Sequence, residues 1–266
     1  MLTTSQKSEF ARQGFLVVRD AAPADAVKAA REQVWDAIEE EPDEPEAWGD
    51  NRSVSAPEDI ENPEPFRELN ESLYEHCAAL VGDSLRDPAD ASAQLALRFP
   101  SGELGATGGK QLNDVSSHVD GFLDVEDGEG DVVPHTVNAS LYLDRVEPYG
   151  GGFTVWPGSH IDVCRYMEEE GLQAAKRGVP APDGRGGWGD ASRDDAFDPL
   201  ELTGNAGDVV LWHGRLEHEG GINHSPNLRM AHIKRFFHED GERIQEERPG
   251  EPFAGWDGME GVAGSD

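Results

Sequence analysis

Thr136-Val-Asn-Ala-Ser-Leu-Tyr-Leu-Asp-Arg-Val146 is the stretch that decides the fold class. Val137, Ala139, Leu141 and Leu143 fall on one face of an extended chain, and Asn138, Ser140 and Tyr142 on the other, because strand side chains alternate with period two. Working outward, residues 93–99 alternate in the same way, with Leu95, Leu97 and Phe99 set against Gln94, Ala96 and Arg98. Residues 152–156, 207–212 and 228–237 are further expected strands, bounded by glycine or proline. Upstream the period changes. Phe15-Leu16-Val17-Val18 reads as a compact strand between a short helix capped at Ser5 and a second helix over 24–38, which spaces Val27, Ala30, Val34 and Ile38 along one side. A third helix is expected over 65–81, with Leu69, Leu73, His76 and Leu80 on one face, after an irregular acidic stretch punctuated by prolines from Pro42 to Pro65. Helices in front and strands behind predict an α+β chain: an antiparallel barrel or sandwich with flanking N-terminal helices.

The expected organisation is one domain over 1–266, with a mainly helical flank over 1–90 and the β region over 91–240. An insertion at about 161–205 is expected to hold a helix over 164–177 and then a Gly/Pro/Asp-rich loop through Trp188. Loops of that length in a compact domain are usually lids or binding loops. The segment 241–266 reads as an acidic, glycine-rich tail with partial order.

Composition excludes several classes of partner. Fifty-four acidic against twenty-two basic residues leave a net charge of −32. A surface of that sign repels nucleic acid and anionic membranes, because phosphate binding needs clustered positive charge. The acid is diffuse and only five of the bases are lysine, a pattern that suits a halophilic cytoplasm, where molar salt screens self-repulsion. No apolar run is long enough to span a bilayer, and the N-terminus lacks a secretory layout. The two cysteines, Cys77 and Cys164, are too few for a disulfide framework and read as free thiols in a reducing, cytoplasmic setting.

The chemistry concentrates in a few residues. His118 and Asp120, two apart, reach one side of a strand; His218 follows a hundred positions later, and Arg229 stands eleven beyond it. Two histidines and one carboxylate on one face of an ion form the ligand set of a non-haem Fe(II) centre with open positions. An H-x-D by itself is a weak pattern in a chain with nine histidines. His213 and His224 compete with His218, but His213 ends a strand where it can pack, and His224 lies in a polar turn beside Asn223 and Ser225. His218 alone has the spacing to Arg229 and the following glycines. His76, His135, His160, His232 and His238 read as structural.

Three segments carry a family resemblance. Gly207 to Arg229, which contains His218 and Asn223, resembles the C-terminal signature of the phytanoyl-CoA dioxygenase family. Gly151-Gly152-Phe-Thr-Val-Trp156-Pro157-Gly158-Ser159-His160 is similar to that family's central glycine turn. Ser117-His118-Val-Asp120-Gly121 is similar to its first metal motif, with Val where the family often has Gln. The resemblance implies a double-stranded β-helix (a jelly-roll, cupin-like barrel) and an Fe(II)- and 2-oxoglutarate-dependent dioxygenase that consumes O2 and releases succinate and CO2. On this reading His118, Asp120 and His218 bind the metal, and Arg229 pairs with the distal carboxylate of 2-oxoglutarate, a role for which its planar fork is suited. Asn138, Ser140 and Tyr142 would line the cosubstrate pocket, and Arg98 would meet an anionic group. Asp120 departs from the relatives that halogenate, which carry a small residue there, so hydroxylation or a related oxidation of a small-molecule C–H bond is expected. A CoA thioester is not: Arg165, Lys176, Arg177, Arg185 and Arg193 are diluted by acids such as Glu168, Glu169 and Glu170. Two rivals stand beside this reading, a non-redox cupin-like metal-binding or sensor protein and a degenerate interaction module. Neither needs Arg229.

Overall fold

A computed structural model describes residues 2–38, 40–42, 44–45, 48, 52–56, 60–86, 92–100, 117–121, 132–171 and 199–262. Helix α1 (Thr4–Gln13) starts on a capping box: Thr3 Oγ1 accepts the Gln6 N–H at 3.3 Å and Gln6 Oε1 accepts the Thr3 N–H at 2.9 Å. The cap is therefore Thr3, and the expected cap Ser5 lies inside the helix. Gly14, at φ 77°, ends α1 and turns the chain into β1 (Phe15–Val18). Helix α2 (Ala24–Ala37) buries Ala26, Val27, Ala30 and Val34, and α3 (Glu64–Val81) buries Leu69, Leu73, Cys77 and Leu80; of the positions expected on these faces, Ile38 caps α2 and His76 yields to Cys77, and both are only half-buried.

Between α2 and α3 the structure corrects the expectation of an irregular stretch: β2 (Arg52–Ala56) pairs antiparallel with β3 (Ala93–Arg98). Its sequence, RSVSA, holds little apolar signal because β2 is an edge strand with one neighbour. The remaining strands are β4 (Val137–Tyr142), β5 (Phe153–Val155), β6 (Leu200–Leu202), β7 (Val209–His213), β8 (His218–Gly220) and β9 (Arg229–Phe236). They form a six-stranded sheet in the order β1-β7-β4-β9-β3-β2 and a three-stranded sheet in the order β6-β5-β8, with every registered pair antiparallel.

Strand alternation divides the core in two. Leu95, Leu97, Ala139, Leu141, Leu211 and Met230 face α1, α2 and α3. Ala96, Tyr142, Val210, Trp212, Ala231 and Ile233 face the other way, with Phe153 and Val155 of the small sheet. β4 is covered on both faces, so all six of its residues are buried, including the polar Asn138 and Ser140.

Helix α4 (Ser159–Glu170) begins immediately after Gly158, so the Pro-Gly-Ser-His segment opens a helix. The helix expected at 164–177 starts earlier, at Ser159, and is described as far as Glu170; its expected residues 172–177 and the loop expected to follow them through Trp188 lie outside the described residues. The expected tail is ordered through 262. After α5 (Gly241–Glu247), Phe253, Trp256 and Met259 bury themselves against α1 and α3. No helix among the described residues is long and apolar enough to cross a membrane.

Candidate metal centre

Two main-chain hydrogen bonds pin His118 beside His218: each N–H donates to the other's carbonyl, at 3.0 and 2.9 Å. Residues opposed in this way project to the same face of the ladder, and the two imidazole rings are 4.5 Å apart, centroid to centroid. The backbone thus brings together residues a hundred positions apart. Asp120, two residues along, comes back to the same side, and its Oδ1 lies 3.8 Å from Nε2 of each histidine. One ligand atom from each of the three residues falls within 4.8 Å of the others. Gly121 then leaves at φ 90°, where a Cβ would meet the Val133 carbonyl at 2.4 Å. Only glycine fits this turn.

The second nitrogen of each imidazole is engaged. His218 Nδ1 is 2.8 Å from the Leu216 carbonyl, and His118 Nδ1 is 3.3 Å from Glu219 Oε2. Such partners hold the proton on Nδ1 and leave the Nε2 lone pair for an ion. Burial pulls His218 down to about 4 despite Asp120, so the ring is neutral at pH 7. For Asp120, burial favours the protonated acid, but His218 and the hydrogen bond from Arg235 outweigh it and hold the carboxyl well below the usual range. Arg235 grips Asp120 with two nitrogens, Nε to Oδ2 at 2.7 Å and Nη2 to Oδ1 at 3.3 Å. Two imidazole nitrogens and a carboxylate, with both cysteines buried elsewhere, suit ferrous iron better than a thiolate-loving ion.

A cleft with about 430 Å³ of empty space, its mouth included, runs from these residues along β3 and β9. At its far end Arg98 and Arg229 stand opposite one another in register. Arg229 is 2% exposed; its Nη1 donates to the Ala96 carbonyl at 3.2 Å, while its buried Nε has no acceptor. Burial draws this guanidinium down to about 10, which still leaves it charged at neutral pH. A buried cation with an unused N–H is built to receive an anion. One step along the ladder, the registered pair Ala96 and Ala231 is small on the interior face, which leaves room for a slender ligand.

The sequence profile of the phytanoyl-CoA dioxygenase (PhyH) family matches residues 10–231, a span that takes in all of these residues except Arg235. The chain belongs to the phytanoyl-CoA dioxygenase family. No curated protein sequence matches it. Solved structures with the same fold include the non-haem α-ketoglutarate-dependent epimerase SnoN from nogalamycin biosynthesis (17% identity, TM-score 0.55, 88% of this chain and 81% of that one). The carbocyclase SnoK from the same biosynthesis, also non-haem and α-ketoglutarate-dependent, aligns at 20% identity and TM-score 0.53 over 88% and 84% of the two chains. HygX from Streptomyces hygroscopicus, crystallised with nickel and 2-oxoglutarate, aligns at 17% identity and TM-score 0.54 over 89% and 87%. SnoN has also been crystallised with Fe3+, α-ketoglutarate and nogalamycin RO, and HygX with nickel, 2-oxoglutarate and hygromycin B.

Within this phytanoyl-CoA dioxygenase fold His213 has other work: its Nε2 bonds the Pro252 carbonyl at 2.6 Å and its ring stacks on Trp256. His224 lies half-buried in the turn after Asn223, outside the group of three convergent ligand atoms, and both of its ring nitrogens are buried without a partner. His160 is fully buried against the Ala11 carbonyl, and His76 bonds the Ala21 carbonyl. Asn138, Ser140 and Tyr142 share the interior face, as their alternation predicts, and are fully buried; they are not among the residues that line the cleft, but the Asn138 amide comes within 3.4 Å of Asp120 Oδ2. One terminal atom of the Asn138 amide is 3.2 Å from the Trp212 indole nitrogen; as oxygen it accepts that N–H. The Tyr142 hydroxyl is already used, donating to the Leu202 carbonyl and accepting the Phe153 N–H, whereas the buried Ser140 Oγ has no partner. Arg98 lines the cleft and pairs with Glu219 at 3.4 Å. Sequence reasoning missed Arg235 and Glu219. Arg235 had a signal, its even spacing from Arg229 along one strand face; Glu219 had none beyond adjacency to His218.

Proposed function

We propose that the protein is an Fe(II)- and 2-oxoglutarate-dependent dioxygenase on a double-stranded β-helix, which oxidises a C–H bond of a small molecule, with hydroxylation as the expected outcome. The observation that carries this reading is the pairing of the three convergent ligand atoms with a buried, partly unpartnered arginine on the same cleft. A sensor or structural metal binder has use for the first and none for the second. When bound, iron with 2-oxoglutarate and O2 supplies the oxidising power, the keto acid leaving as succinate and CO2. The chain's own residues do the rest. His118, Asp120 and His218 would hold the ion; Arg235 fixes the Asp120 carboxylate; Arg229 would take the distal carboxylate of the cosubstrate. Trp212 and Phe153, with ring centroids 4.6 Å apart, wall the cleft and keep water from the reacting centre. Three arginines against Asp120 and Glu219 leave this cleft one positive charge (3 − 2 = +1) in a chain of net −32. That local inversion favours a dianion.

The substrate class rests on the nogalamycin RO and hygromycin B complexes of SnoN and HygX, both small molecules. Those structures include an epimerase and a carbocyclase, so the fold serves outcomes other than hydroxylation. The retained Asp120 leaves no ligand vacancy for a halide. Anaerobic protein loaded with Fe(II) and 2-oxoglutarate in molar KCl is expected to show the weak visible charge-transfer band of a chelated keto acid. Iron bound with no band overturns the cosubstrate assignment.

A further inference from the structure

The two imidazoles of the candidate centre are held in different ways. His218 is anchored by main chain, its Nδ1 bonding the carbonyl of Leu216 two residues before it, and its side chain is 5% exposed. His118 has no such anchor. Among the described residues its main chain is joined to His218 alone, its side chain is 21% exposed, and its Nδ1 meets the carboxylate of Glu219, at 3.3 Å. Glu219 is itself held from the other side, since its Oε1 accepts from the Gly220 N–H at 2.7 Å and from Arg98 Nη2 at 3.4 Å. The Arg98 guanidinium lies over Gly220, where a Cβ would come within 2.5 Å of Nη2, and it opens on the same cleft as Arg229.

We propose that Glu219 is the positioning residue of this centre and that Arg98 acts on the metal through it: the carboxylate holds His118 with Nε2 toward the ion, and the arginine holds the carboxylate. The proposal rests on His118, Asp120 and His218 being the metal ligands. The chemistry follows from the geometry. An imidazole whose far nitrogen donates to a carboxylate keeps one tautomer and one ring orientation and is a stronger ligand for it. An arginine that fixes the carboxylate restricts the rotamers over which that bond would otherwise be lost. Because Arg98 stands opposite Arg229 at the anion-receiving end of the cleft, the chain Arg98–Glu219–His118 ties that end of the cleft to a metal ligand by side chains alone.

Co(II) binding to the metal-free protein tests this without turnover, by titration calorimetry and by the visible ligand-field spectrum of the Co(II) form. Glu219→Ala is expected to weaken Co(II) binding roughly 10- to 100-fold, the usual cost of losing such a partner, and to alter the spectrum. Glu219→Gln keeps an acceptor and is expected to restore most of the affinity. Arg98→Met is expected to weaken binding by a smaller factor in the parent background and to have no effect on top of Glu219→Ala, because its influence passes through the carboxylate. Parent-like Co(II) affinity and spectrum in Glu219→Ala overturn the proposal, and so does an Arg98→Met effect that persists undiminished in the double variant. His218→Ala separates the two levels of the account. If it loses Co(II) while Glu219→Ala does not, only this proposal falls; if both bind like the parent, the ligand assignment itself is wrong.

Discussion

Arg229 is the residue whose burial most needs a ligand to explain it. Placing a guanidinium at 2% exposure with an unused Nε costs several kcal/mol of hydration that the Ala96 carbonyl alone does not return. A carboxylate arriving on two of its nitrogens recovers that cost, which makes the affinity steeply dependent on this side chain. Arg229→Met is therefore expected to raise the KM for 2-oxoglutarate on the order of 30-fold, an effect of roughly 2 kcal/mol, while Co(II) affinity stays at the parent value. An unchanged KM places the cosubstrate elsewhere. The spacing from His218 to Arg229 was legible without coordinates, as was the H-x-D pair, because both are local patterns. Glu219 was not, and Arg235 showed only its even spacing from Arg229, since their partners His118 and Asp120 lie 101 and 115 positions away and meet them only through tertiary packing.

At the scale of elements, alternation was readable wherever one strand face is apolar, as in β3 and β4, and helical spacing wherever a helix packs on one side. It failed where the physics is not periodic. The edge strand β2 has almost no apolar face to read. The C-terminal segment hid its order in a few large anchors scattered through an acidic, glycine-rich stretch. Trp256, 5% exposed, stacks on His213 and sits 5.9 Å from Phe10, so it clamps the end of β7 to α1. Removing an indole from such a site costs about 3–5 kcal/mol. Trp256→Ala is expected to lower the melting temperature by about 10 °C; a melt that matches the parent shows that the segment does not brace the fold.

Across the whole molecule two opposing features meet. The chain carries a net charge of −32, while the cleft gathers Arg98, Arg229 and Arg235. Self-repulsion of that size falls as salt shortens the Debye length from about 10 Å at 0.1 M to about 3 Å at 1 M. The melting temperature is accordingly expected to climb as KCl rises from 0.1 to 2 M, and a flat or falling curve contradicts a fold limited by its own charge. The larger claim is topological: β8 is laid against the His118 segment so that side chains distant in sequence meet at one point. Anomalous diffraction at the cobalt edge, from crystals of the Co(II)-loaded protein, tests that claim most directly. The account predicts a single peak bounded by His118 Nε2, Asp120 Oδ1 and His218 Nε2, with the opposite side open toward the cleft. A peak ligated by other residues, or none where these three converge, contradicts it.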